Sequence, residues 1–122
     1  MSELQTITDE VTHVPSTAAS GASIALPLVL IADADAGSRL KRARLLVRRG
    51  YRVAVARTAF EAIVKASCHL PDLILVDASL GDTGAQETSD LLSTCPATAH
   101  IPIVRLTPGA RLPRRVFAAA TL

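Results

Sequence analysis

Four short apolar runs separated by helical segments constrain this chain more than any other feature. They are Leu28 to Ala32, Tyr51 to Ala56, Leu73 to Val76 and Ile101 to Leu106. Each is the length of a strand, and the first and third are unbroken, which suits a strand buried on both faces of a parallel sheet. After the first run, Leu40, Ala43, Leu46 and Val47 recur at helical spacing, with basic residues on the other side. Arg48 and Arg49 sit where a helix C-terminus favours cations, and Gly50 supplies the cap. Thr58-Ala59-Phe60-Glu61 is a capping box that opens a second helix running to about Cys68, and Pro71 breaks the chain before the third run. Gly81 and Gly84 predict a loop, followed by a less apolar helix from about Ala85 to Ser93. Pro96 and Pro102 bracket the connection into the fourth run; Pro108-Gly109 then turns the chain into an Ala-rich helical piece over Arg114 to Leu122. Strand and helix alternate throughout, which predicts a doubly wound α/β sheet with right-handed crossovers.

A chain of 122 residues holds one domain. Its residues are 49% hydrophobic but only 2% aromatic, so aliphatic side chains and Ala must build the core. Net charge is +2, and eight of the 13 basic residues fall between Arg39 and Arg57. With Tyr51, Phe60 and Phe117 as the only aromatics, no stacking surface accompanies that cluster. It reads as a solvated helix face, with no direct nucleic-acid partner. Residues 1–26 carry no basic residue and no sustained period, and are expected to form a flexible leader ahead of a domain over 27–122. Cys68 and Cys95 match no metal-ligand spacing and read as reduced thiols; His13, His69 and His100 are scattered and receive no role. The apolar stretch Ile24 to Ala32 has no basic region before it and falls far short of the ~20 residues of a membrane span. A cytoplasmic protein without a membrane partner is the expectation.

Chemistry is expected at the strand ends. In an open parallel sheet, ligands collect beyond the carboxyl ends of the strands. The first run ends in Asp33, with Asp35 close by; the third ends in Asp77, and the fourth in Thr107. Asp77 alone reads first as a turn residue that terminates a strand. Together, clustered carboxylates need a cation to offset their repulsion, and hard oxygen ligands suit Mg²⁺. A carboxylate beside such an ion can attack phosphorus, and a hydroxyl opposite can hydrogen-bond the phosphoryl product.

These residues carry a resemblance to the receiver domains of two-component response regulators. LVLIADAD resembles the family's first strand and acidic cluster, and RRGYRVAVARTAFEAI its stretch from first helix to second. PDLILVD resembles the phosphoacceptor strand, and IPIVRLT the strand that bears the switch hydroxyl. The resemblance implies a flavodoxin-like three-layer sandwich, strand order 2-1-3-4, and phosphorelay signalling rather than enzymatic turnover. It makes Asp77 the phosphoacceptor, Thr107 the switch hydroxyl, and Asp33 a ligand to Mg²⁺ together with Asp77. Ser79 would offer its backbone carbonyl to the metal, so that its side chain need not matter. The implied partners are a histidine kinase or phosphotransfer protein and a downstream protein.

The sequence also departs from the pattern. Ala34 stands where the family places its second acid; Asp35 is either a substitute ligand or the N-cap of the first helix. Gly81 and Gly84-Ala85 replace the family's Pro and Asp-Gly, and its fifth strand, phosphate-binding lysine and fifth helix have no counterpart. The expectation is therefore weak Mg²⁺ binding, with self-association through the open edge of the fourth strand. Two other readings remain. One is a degenerate receiver that works by protein contact without phosphorylation. The other is a phosphatase of the haloacid dehalogenase type using Asp33 and Asp35, whose motif Gly37 interrupts.

Overall fold

The computed structural model describes residues 26–108 and 111–114. The leader expected over 1–26 lies almost wholly outside the described residues, as does the last helical piece beyond Arg114. Strands β1 (Leu28–Ala32), β2 (Arg52–Ala56), β3 (Leu73–Asp77) and β4 (Ile103–Leu106) form one sheet in the order β2-β1-β3-β4. Every pairing is parallel. Helices α1 (Ala36–Arg48), α2 (Ala59–His69) and α3 (Asp82–Thr94) fill the crossovers, and a 3₁₀ turn over Ala78–Leu80 links β3 to α3. The predicted sheet and its order are both present.

Alternation along the strands divides the core into two layers. Val29, Ile31, Val53, Val55, Leu73 and Leu75 pack on one face with Ala43 and Leu46 of α1. Leu30, Ala54, Ala56, Ile74 and Val76 pack on the other with Ala62 and Ala66 of α2 and Ala85 and Leu92 of α3. Successive strand residues point to opposite faces, so an unbroken apolar run serves both layers. The second layer is rich in Ala, which lets helix backbones approach the sheet closely and compensates for the scarcity of aromatics.

Local signals set most element ends. Helix α1 closes in a Schellman motif, with Tyr51 N–H on Leu46 O at 3.0 Å and Gly50 N–H on Val47 O at 3.0 Å. Gly50 takes φ +94°, a conformation that a Cβ disfavours, and the cap residue proper is Arg49. Buried Tyr51 joins the core beside Leu46 and does not open β2. At α2, Thr58 Oγ1 accepts from Glu61 N–H at 3.0 Å. The Glu61 carboxylate reaches back one residue further than a standard capping box, to Arg57 N–H at 2.7 Å.

Two further boundaries and one helix face differ from the sequence reading. Helix α3 begins at Asp82, so Gly84 lies inside it and not in a loop. Gly81 alone makes the turn, at φ +88°. Strand β4 begins at Ile103 and not Ile101, because Ile101 N–H bonds back to Thr98 O at 2.9 Å and stays in the loop while its side chain is buried. On α1, Val47 is 41% exposed, whereas Arg39 and Arg42 are 3% and 5% exposed. The basic face is therefore not wholly solvated, and two of its arginines belong to the interior.

Candidate functional site

Strand register assembles the site. Ala32 is level with Val76 across the β1–β3 pairing, so the next residues, Asp33 and Asp77, emerge side by side. Asp77 is level with Leu106 across β3–β4, which places Thr107 one step beyond. Both acids are buried, Asp33 at 0% and Asp77 at 1% exposed. The structure thus brings Asp33, Asp77 and Thr107 to one end of the sheet.

Every carboxylate oxygen of the pair accepts a hydrogen bond. Asp33 Oδ1 accepts from Asp35 N–H and from the Ser79 hydroxyl, each at 2.9 Å. Asp33 Oδ2 accepts from the Ser38 hydroxyl at 2.7 Å and from Arg42 Nη1 at 3.2 Å. Asp77 Oδ1 accepts from Ser79 N–H at 2.8 Å, and Asp77 Oδ2 from the same Arg42 Nη1 at 2.5 Å. Arg42 Nη2 also donates to Thr107 O at 3.2 Å, so one guanidinium ties the ends of β1, β3 and β4 together. Arg39 Nη1 donates to Asp33 O at 2.9 Å, while its Nε is buried without a hydrogen-bond partner.

The remaining expected residues take other parts. Asp35 is exposed and caps α1, its Oδ2 accepting from Ser38 N–H at 2.7 Å; this is the alternative the sequence left open. Ser79 was expected to offer its carbonyl, with no part required of its side chain. Its hydroxyl instead donates to Asp33 and accepts from Ala34 N–H at 2.9 Å, closing the loop around the acid pair. Thr107 is exposed and meets Arg42 through its carbonyl rather than its hydroxyl.

Arg42 and Ser38 are the participants that sequence reasoning missed. The signal was there: Arg39, Arg42, Ala43 and Leu46 stand at i, i+3, i+4 and i+7, the spacing of a buried helical face, and these four are the buried residues of α1. Treating arginine as polar by default hid it. A guanidinium is buried at low cost when planar partners satisfy its fork of donors.

No protein-family model and no curated protein matches the chain. Solved structures do match. The N-terminal domain of a response regulator receiver protein from Methanoculleus marisnigri JR1 is 26% identical, covers 79% of this chain and 80% of its own, and superposes with a TM-score of 0.64. The chain has the fold of a response regulator receiver domain. The chemotaxis response regulator CheY4 of Vibrio cholerae is 24% identical, with a TM-score of 0.64 over 71% of this chain and 72% of that one. A putative response regulator from Chloroflexus aurantiacus J-10-fl is 24% identical, with a TM-score of 0.64 over 80% and 78% respectively. No helix among the described residues is long and apolar enough to cross a membrane.

The receiver fold implies Mg²⁺ at this end of the sheet, and the residues present do not fit it. Asp33 Oδ2 and Asp77 Oδ2 both already bind Arg42 Nη1, which puts a cation between the two acids. The carboxylate of Asp35 is engaged with its helix, and Ala34 has no donor atom to give. Among the described residues no three His, Cys, Asp or Glu side chains gather as a metal site.

Burial works to raise the pKa of Asp77, but the hydrogen bond from Arg42, those from Ser79 and the Arg42 charge outweigh it. The net result lies below the ordinary 3.8. A depressed carboxylate pKa contributes stability above its unfolded value and loses it as pH falls through the folded value. Here that window opens near 3.8 and extends downward. Wild type should therefore lose its stability advantage over Asp77→Asn as pH drops through this range. Thermal melts of both proteins at stepped pH check this; a difference that stays constant would show that Asp77 is not held by these contacts.

Proposed function

We propose that this receiver-type domain serves two-component signalling by protein contact, without accepting a phosphoryl group on Asp77. One observation carries the reading: Asp77 is 1% exposed, with Oδ2 on Arg42 and Oδ1 on Ser79 N–H, so a phosphodonor has no open approach to either oxygen in this arrangement. A nucleophile must present a lone pair in line with its target. The fold supports the setting, since its structural neighbours are response regulator receivers. The proposed partners are a histidine kinase or phosphotransfer protein upstream and an effector protein downstream.

The surface beside the site suits such contacts. A cleft of about 950 Å³ along α1 is lined by Asp35, Lys41, Arg49, Arg111 and Arg114 with Leu45 and Leu112, so that, leaving the engaged Arg42 aside, basic side chains outnumber the single acid. Acidic protein surfaces complement it, and charge of this kind mainly speeds encounter and fixes register. The phosphatase reading gains nothing from the geometry, because Asp33 is fully engaged and Asp35 is a helix cap.

Incubation with acetyl phosphate and Mg²⁺ followed by intact-mass measurement is the test. No mass gain is expected on wild type or on Asp77→Asn. A phosphoryl adduct on wild type that Asp77→Asn lacks would overturn the reading in favour of a working phosphoacceptor.

A further inference from the structure

We infer that Arg42 is a built-in replacement for the divalent cation: it occupies the place between Asp33 and Asp77, makes the domain independent of metal, and leaves a latent metal site beneath it. The inference rests on the contact-module reading and extends it to the origin of that behaviour.

Three observations support it. First, Arg42 Nη1 lies 3.2 Å from Asp33 Oδ2 and 2.5 Å from Asp77 Oδ2, so a single cationic atom bridges the two acids, as a metal ion would. Second, the guanidinium also takes Thr107 O at 3.2 Å, a neutral oxygen from a third strand end, which makes its partners two carboxylates and a carbonyl. Those three oxygens, among the partners of Arg42, are the hard oxygen chemistry a Mg²⁺ or Mn²⁺ ion seeks. Third, the acid pair is held by partners other than Arg42. Ser38 and Ser79 hydroxyls hold Asp33, and Ser79 N–H holds Asp77, so both carboxylates have reason to keep their places when the arginine is removed.

Electrostatics then excludes coexistence. A dication at the pair would stand against a buried guanidinium that cannot lose its proton. An arginine is tethered to α1 and needs no supply from solution, so the bridge is permanent, whereas a metal bridge is conditional. The three strand ends are consequently pinned in one arrangement without metal, phosphate or pH change. A contact module that always shows its partners the same face would be built in this way.

Mn²⁺ binding, followed by electron paramagnetic resonance, and Mg²⁺-dependent thermal shift on the full chain form the test, applied to wild type, Arg42→Lys, Arg42→Met and Arg42→Gln. Wild type and Arg42→Lys should bind no Mn²⁺ at the pair and show no Mg²⁺-dependent shift. Arg42→Met and Arg42→Gln should bind Mn²⁺ at least about tenfold more tightly than wild type, the effect of removing one opposing charge at contact distance, and should melt higher with Mg²⁺. Adding Asp33→Asn to either variant should abolish that gain. If neutral variants fold and gain no metal, or if wild type binds Mn²⁺ as tightly as they do, the inference is wrong. Should Arg42→Met fold only with Mg²⁺ present, the inference is supported; should neither neutral variant fold with or without Mg²⁺, no latent site exists and it fails. The acetyl phosphate experiment separates the two proposals. A wild type that binds Mn²⁺ but takes no phosphoryl group defeats the inference alone, and one that is labelled without binding metal defeats the contact reading alone.

Discussion

Arg42→Met is expected to destabilise the domain by about 3–5 kcal/mol in the absence of divalent metal, the cost of leaving buried carboxylates without their counter-charge. Natural domains of this size hold only about 5–15 kcal/mol in total, so the variant should approach global unfolding at moderate temperature. Asp33 and Asp77 are side by side at 0% and 1% exposure, and both give up Oδ2 to the same nitrogen. Removing that nitrogen leaves two anions facing each other in a site that water does not reach. The remedy follows from the same logic: Asp33→Asn together with Asp77→Asn removes the repulsion, and most of the loss should return in the triple variant. Chemical denaturation of wild type, Arg42→Met, the double Asn variant and their combination completes the cycle. Additive effects would mean that the ion pairs seen at the strand ends contribute nothing to stability. Arg42→Lys should fall between, since an ammonium reaches fewer acceptors at once and lacks the planar fork that spans Asp33, Asp77 and Thr107 O.

Leu75→Ala should cost a similar amount, about 2–5 kcal/mol, through a cavity rather than through charge. Leu75 lies at the middle of β3, fully buried, between β1 on one side and β4 on the other. It packs in the layer that α1 covers, with Ile31, Leu46 and Leu106. Neighbours drawn from rigid strands cannot collapse into the gap, which places the expected loss in the upper half of that range. Leu91→Ala is the control: Leu91 is 49% exposed on α3, and its loss should stay within about 0.5 kcal/mol. Urea midpoints at constant slope would establish both values. A Leu75→Ala effect below that of Leu91→Ala would mean that β3 is not the centre of the sheet.

How much of this was legible beforehand depends on the range of the interaction concerned. Strand and helix identity came from local patterns: apolar runs for β1 to β4, the Thr58–Glu61 box for α2, and Gly50 for the end of α1. These signals act within a few residues, so a sequence displays them directly. The meeting of Asp33, Asp77 and Thr107 also followed from sequence, because parallel crossovers send all carboxyl ends one way, whereas the strand order came from the resemblance to receiver domains. Boundaries governed by tertiary bonds did not. Ile101 looks like strand but bonds back to Thr98, and Gly84 looks like loop but continues α3.

The chain by itself therefore determined the α/β architecture and the address of its candidate site. Only the tertiary structure decided what that site is. Asp35 could have been ligand or cap, Ser79 a bystander or a donor, and Arg42 one of five basic residues on α1. For Arg42 and Ser79 the outcome depends on distances between residues 35 and 46 positions apart, closed by the register of β1 against β3 and the seating of α1, whereas the Asp35 cap is local. Charge and hydrogen bonding act through space: the period along α1 puts Arg39 and Arg42 on the buried face, but does not say which acids either arginine meets there.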